Sequence, residues 1–63
     1  MSARSGTVSI QWEGRQLYGR FLVFGRTLIV EAGSHRKMAQ LGQLDPPLLA
    51  RMMLREMAQE GEI

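Results

Sequence analysis

The chain has 63 residues, 44% of them hydrophobic, and a formal net charge of +2. A chain this short forms one domain and buries only about 60% of its unfolded surface; with no cysteine, neither a disulfide nor a thiolate-bound metal can reinforce it. His35 is the only histidine, no apolar run approaches the roughly 20 residues that cross a bilayer, and the first residues lack the apolar centre of a secretory signal, so the sequence predicts a soluble, cytoplasmic protein with no metal, cofactor or membrane partner.

Residues 1–6 are small, polar and glycine-containing, which predicts a disordered N-terminus and places the single folded domain at 7–63. From Thr7 the hydrophobic period is two: Val8, Ile10 and Trp12 alternate with Thr7, Ser9 and Gln11, as in a strand with one buried face. Glu13-Gly14-Arg15 predicts a tight turn. A second strand follows over about 16–24. Leu17, Phe21 and Val23 share one face with Gly19, while Tyr18, Arg20, Leu22 and Phe24 share the other. Gly19 marks a bend or bulge in this reading.

Gly25-Arg26 is the next turn, and Thr27 to Ala32 is a strand rich in β-branched residues with Leu28 and Val30 on one face. After a third turn at Gly33-Ser34, residues 35–41 suit a weaker fourth strand at the sheet edge, where Arg36 and Lys37 would discourage further pairing. Asp45-Pro46-Pro47 predicts a helix start: the Asp45 side chain caps free N–H groups and Pro46 takes the first helical position. Leu48 to Glu60 are good helix formers, and Gly61 is a natural stop. Leu49, Ala50, Met53, Leu54 and Met57 form one apolar stripe at helical spacing. The fold class is therefore α+β: a small antiparallel β-meander of three or four strands with one C-terminal α-helix packed on the sheet. Its core is expected to join Trp12, Leu17, Phe21, Val23 and Val30 to Leu49, Met53 and Met57. Trp12, Phe21 and Phe24, the large aromatics, are all assigned to core duty.

Charge is uneven along the chain. Residues 1–40 carry six basic side chains against two acidic ones, and residues 41–63 carry two against four. A basic sheet of this kind has a nucleic-acid reading, with Tyr18 stacking a base while Arg15, Arg20, Arg26, Arg36 and Lys37 hold phosphates.

The run Gly14-Arg15-Gln16-Leu17-Tyr18-Gly19-Arg20-Phe21-Leu22-Val23-Phe24, inside the segment 10–30, resembles the first sequence motif of the Sm-like family. That resemblance implies a bent, five-stranded barrel, ring assembly and RNA binding. The family's acidic residue after the aromatic is Gly25 here, and its RNA-contacting asparagine is Ile29. What carries over is strand curvature at Gly19, without an RNA site.

No catalytic constellation emerges. Ser34 and His35 are adjacent, so in a strand they point to opposite faces. Gly14, Gly19 and Gly25 are too widely spaced for a phosphate-binding loop. The remaining signal is on the helix, where Leu48 and Met52 fall outside the core stripe and Arg51 and Arg55 flank them. An apolar centre with a polar rim is the anatomy of an interface. The sequence thus predicts a non-enzymatic module for protein–protein association, with a partner protein or with a second copy through Leu48, Met52, Arg51 and Arg55. The alternative is nucleic-acid binding by the basic sheet.

Overall fold

The computed structural model describes residues 4–63. Four strands, β1 (Arg4–Trp12), β2 (Arg15–Phe24), β3 (Thr27–Ala32) and β4 (His35–Gln40), precede a single helix, α1 (Pro46–Gln59). The strands form one antiparallel sheet in sequential order. The sheet is open, with four strands, so the closed five-stranded barrel implied by the Sm-like resemblance is not the architecture observed.

Two-residue turns fix the register. Glu13 and Gly14 both have positive φ, 50° and 81°, the mirror-image turn whose twist matches a hairpin. It sets Trp12 opposite Arg15 and, further along, Val8 opposite Gly19. The turns Gly25-Arg26 and Gly33-Ser34 likewise set Phe24 opposite Thr27 and Ala32 opposite His35. The weak fourth strand is real, and it lies at the edge of the sheet.

β1 starts at Arg4, so residues 4–6 belong to the sheet and not to a disordered terminus; residues 1–3 lie outside the described residues. The extension runs along the free edge of the last residues of β2, which pair with β3 on their other side: Arg4 pairs with Val23 and Gly6 with Phe21. The Phe21 ring lies over Gly6, where a β-carbon would come within 2.8 Å of it.

One face of the sheet is packed under α1, which rests on β1, β2 and β3. Val8, Ile10, Phe21, Val23, Leu28, Val30 and Ala32 from the sheet meet Ala50, Met53, Leu54 and Met57 from the helix in one buried cluster. Trp12, Leu17 and Leu49 pack against its margin, half-buried. Two periods, two along the strands and 3.6 along the helix, thus meet at one core as the sequence predicts. Phe24 does not join it: with the parity of Leu22, it stands on the opposite face and is exposed.

Gly19 also has a different role from the one read in the sequence. Register runs through it without a skipped residue, so there is no bulge. It is buried, and Leu54 of the helix occupies the space above its α-carbon. Glycine lets the helix approach the sheet closely here.

At the helix start, the Asp45 side chain makes no capping hydrogen bond. The Asp45 carbonyl accepts the first helical bond from the Leu49 N–H at 3.0 Å, and Pro46 and Pro47 have no N–H to satisfy. With two of the four usual orphan donors removed, the side-chain cap is dispensable. At the other end Gly61 has φ 77°. Its N–H donates to the Ala58 carbonyl and that of Glu62 to the Met57 carbonyl, the paired bonds of a Schellman stop.

Candidate functional site

Among the described residues, the second face of the sheet has no element upon it: the helix covers the other side. Strand parity and register arrange this open face in rows that run across the strands. One row is Ser5, Leu22, Ile29 and Met38, on β1 to β4 in turn. The next row is Thr7, Arg20, Glu31 and Arg36. Phe24 extends the apolar row on its far side, opposite Thr27, and Tyr18 lies beyond the charged row, opposite Ser9.

Cross-strand neighbours such as these have β-carbons about 5 Å apart, so Leu22, Ile29 and Met38 form a continuous apolar strip. Leu22 and Ile29 are half-buried by their neighbours, whereas Met38 is 67% and Phe24 57% exposed. A shallow cavity lies at the junction of the rows, lined by Arg20, Leu22, Phe24, Ile29, Glu31 and Arg36 among others.

The charged row is asymmetric. Arg36 grips Glu31, with Nη2 at 2.7 Å and Nε at 3.0 Å from the same carboxylate oxygen. Arg20 faces Glu31 from the other side in the register but has no carboxylate within ion-pair distance among the described residues. The row therefore presents one closed ion pair and one free guanidinium.

The six basic and aromatic residues with a nucleic-acid reading do not converge. Tyr18, Arg20 and Arg36 share the open face. Lys37 sits on the opposite, helix-packed face: Nζ reaches Glu60 Oε1 at 3.1 Å and Glu56 Oε1 at 3.9 Å. Its parity in β4, in register with Val30, directs it there. The hydrogen bond from Nζ to Glu60 outweighs the desolvation of the ammonium, and further attraction comes from Glu60, Glu62 and Glu56, so the Lys37 pKa is raised above its ordinary value. Arg15 and Arg26 border turns at opposite ends of β2, separated by about 35 Å of extended chain.

The four helix residues read as a patch are exposed. Leu48 is 43% and Met52 50% exposed, and Leu44, in the preceding loop, is 42% exposed. Arg51 and Arg55 are exposed beside them. Residues 44, 48 and 52 follow one another at four-residue spacing, so the patch is a narrow line along α1 and the loop before it.

The sequence reading missed the strip Leu22–Ile29–Met38, because it placed Phe24 in the core and did not align the strands. The signal was there: two-residue turns fix all three registers, and those registers bring the three apolar residues into one row. Among the described residues, no group of three or more His, Cys, Asp or Glu side chains could hold a metal ion, and no helix is long and apolar enough to cross a membrane. No family model, curated protein or solved structure matches the chain.

Proposed function

We propose that the protein is a small, non-enzymatic module that mediates protein–protein association, with the open sheet face as its principal surface and the Leu48–Met52 line on α1 as a second. The observation that carries this reading is the uncovered cross-strand strip Leu22–Ile29–Met38, with Phe24 beside it. Exposed apolar patches of this kind on a small domain mark contact surfaces. The charged row beside the strip supplies the polar rim that such surfaces carry.

The alternative is binding of a single-stranded nucleic acid to the same face. Tyr18 and Arg20 favour it, being neighbours on one exposed surface. The charges weigh against it. Glu31 occupies Arg36, Glu60 and Glu56 occupy Lys37, and Arg20 is the one cation of the face free to hold a phosphate among the described residues. Nucleic-acid surfaces ordinarily gather several such cations.

The test is a photo-crosslinking side chain placed at Met38 in the expressed protein, with one at Arg26 as control. Discrete protein adducts that survive nuclease, formed from position 38 and not from position 26, are expected. Adducts lost on nuclease treatment, or none at position 38, would overturn the association reading. In the first of those outcomes affinity should fall with salt, and Arg20→Gln should reduce the logarithmic slope by about one.

A further inference from the structure

Resting on the association reading, we infer that the occupant of the open sheet face is a second copy of this chain, stacked face to face about a two-fold axis that runs parallel to the strands between β2 and β3. Three features lead to this arrangement: the order of residues in the rows, the unpaired cation, and the size of the face.

A two-fold axis in that position keeps each row level and exchanges β2 with β3 and β1 with β4. Leu22 of one copy then lies over Ile29 of the other, and Ile29 over Leu22 of the other, so the apolar strip covers itself. Met38 extends over Ser5 of the second copy, where the small side chain leaves room. Sheets stacked in this way sit about 10 Å apart and interdigitate their facing side chains.

The charged row is self-complementary about the same axis. Arg20 comes over Glu31 of the second copy, and Glu31 over Arg20 of the second copy. Each Arg20, free of carboxylates within its own chain among the described residues, gains one. A charge-assisted bond of this kind suits the fixed fork of an arginine. The exchange occurs twice by symmetry, which is how an isologous interface uses one patch against itself.

Area points to the same occupant. Strands of nine, ten, six and six residues, at about 3.3 Å per residue and about 4.8 Å between strands, give roughly 500 Å² of plan area. A standard interface buries about 800 Å² per partner, so this face needs an occupant that covers nearly all of it. A second sheet covers the part of the face where all four strands run side by side, from the level of Val23 to that of Arg20; a single bound strand covers a fraction of that. A domain of this size without disulfides also has much to gain from pairing.

The experiment is sedimentation equilibrium on the purified chain, with far-UV circular dichroism to verify folding. Wild type is expected to dimerise with a dissociation constant of roughly micromolar order, the weak end for such areas. Arg20→Glu and Glu31→Arg should each weaken self-association roughly tenfold or more, since each puts like charges face to face. Mixed in equal amounts, the two variants should associate with each other nearly as tightly as wild type with itself, because in the mixed dimer both facing pairs are again opposite in sign. A purely intrachain role for these residues gives no such rescue.

A wild type that stays monomeric at millimolar concentration, or a mixture no tighter than its components, overturns the self-pairing. Isotope-filtered NOEs between labelled and unlabelled wild-type copies provide a readout free of variants. Contacts between Leu22 and Ile29 methyls of different copies are expected, and intermolecular contacts confined to Leu48 and Met52 would overturn it. If self-pairing fails while position 38 still crosslinks to other proteins, the occupant is wrong and the association reading stands. If both fail, so does that reading.

Discussion

Leu54 Cδ1 stands 3.1 Å from where a β-carbon on Gly19 would be. Leu54 is fully buried, and the Glu31 carbonyl oxygen closes the site from another side at 3.4 Å. Removing backbone freedom by Gly→Ala ordinarily stabilises by about 0.4–1 kcal/mol. Overpacking a closed core costs about 1–3 kcal/mol. With Leu54 enclosed, the second effect should win. Gly19→Ala is expected to lower stability by about 1 kcal/mol, and Gly19→Val by more. Urea denaturation would measure both, and an alanine variant more stable than wild type would show that the helix can move away freely.

Phe21 fixes β1 as well as filling the core. It is buried, it pairs with Gly6 and Val30, and its ring occupies the space over Gly6. Phe21→Ala should cost about 3–5 kcal/mol, comparable with the whole stability of a domain at the lower limit of size. Loss of the cooperative thermal transition near ambient temperature is the expected result. Gly6→Ala should also destabilise, by forcing the same ring to shift, and slowed amide exchange over residues 4–8 should disappear first.

Lys37 is the only lysine in the chain, so its titration can be followed without overlap. Hydrogen bonding to Glu60 raises its pKa in the folded protein. A raised pKa means that the folded state holds this proton more tightly than the unfolded chain. The resulting stabilisation is fully present below the unfolded value of about 10.4 and is lost as pH rises through the folded value. Lys37→Met is expected to flatten the alkaline end of the stability profile and to leave its shape unchanged near neutral pH. The Nζ-attached methylene shifts, read by NMR, should titrate above those of a free lysine. The contact is half-exposed, and its effect on stability should be small and salt-sensitive.

Much of the fold is legible in the sequence because local rules and global packing agree. The alternation from Val8 to Trp12, the turns at Gly14, Gly25 and Gly33, and the Asp45-Pro46-Pro47 start each point to the element that forms. The core faces follow from the two periods. The differences arise where a side chain's position depends on a distant segment. Arg4 to Gly6 join β1 because the far end of β2, paired with β3 on one side, offers them its other edge. Lys37 faces the helix side because its parity in β4 puts it there, and its length lets it reach Glu60 and Glu56 near the end of α1. Phe24 is left outside the core because one face can be covered by one helix, and strand parity puts it on the other. The open strip is less visible still, since Leu22, Ile29 and Met38 are far apart in sequence and become neighbours only through two successive registers.

Self-association through the sheet and self-association through the helix can be separated by two lysine substitutions on opposite sides of the molecule. Ile29 lies at the centre of the open strip, and Met52 on the exposed line of α1. A lysine buried without a partner loses its hydration uncompensated, so the substitution at the true interface should abolish pairing while far-UV circular dichroism stays unchanged. The most direct measurement is therefore sedimentation equilibrium of wild type, Ile29→Lys and Met52→Lys over the same concentration range. A dimeric wild type, a monomeric Ile29→Lys and a dimeric Met52→Lys are expected. A wild type that is monomeric throughout, or a dimer lost in Met52→Lys and retained in Ile29→Lys, would contradict the assignment of the sheet face.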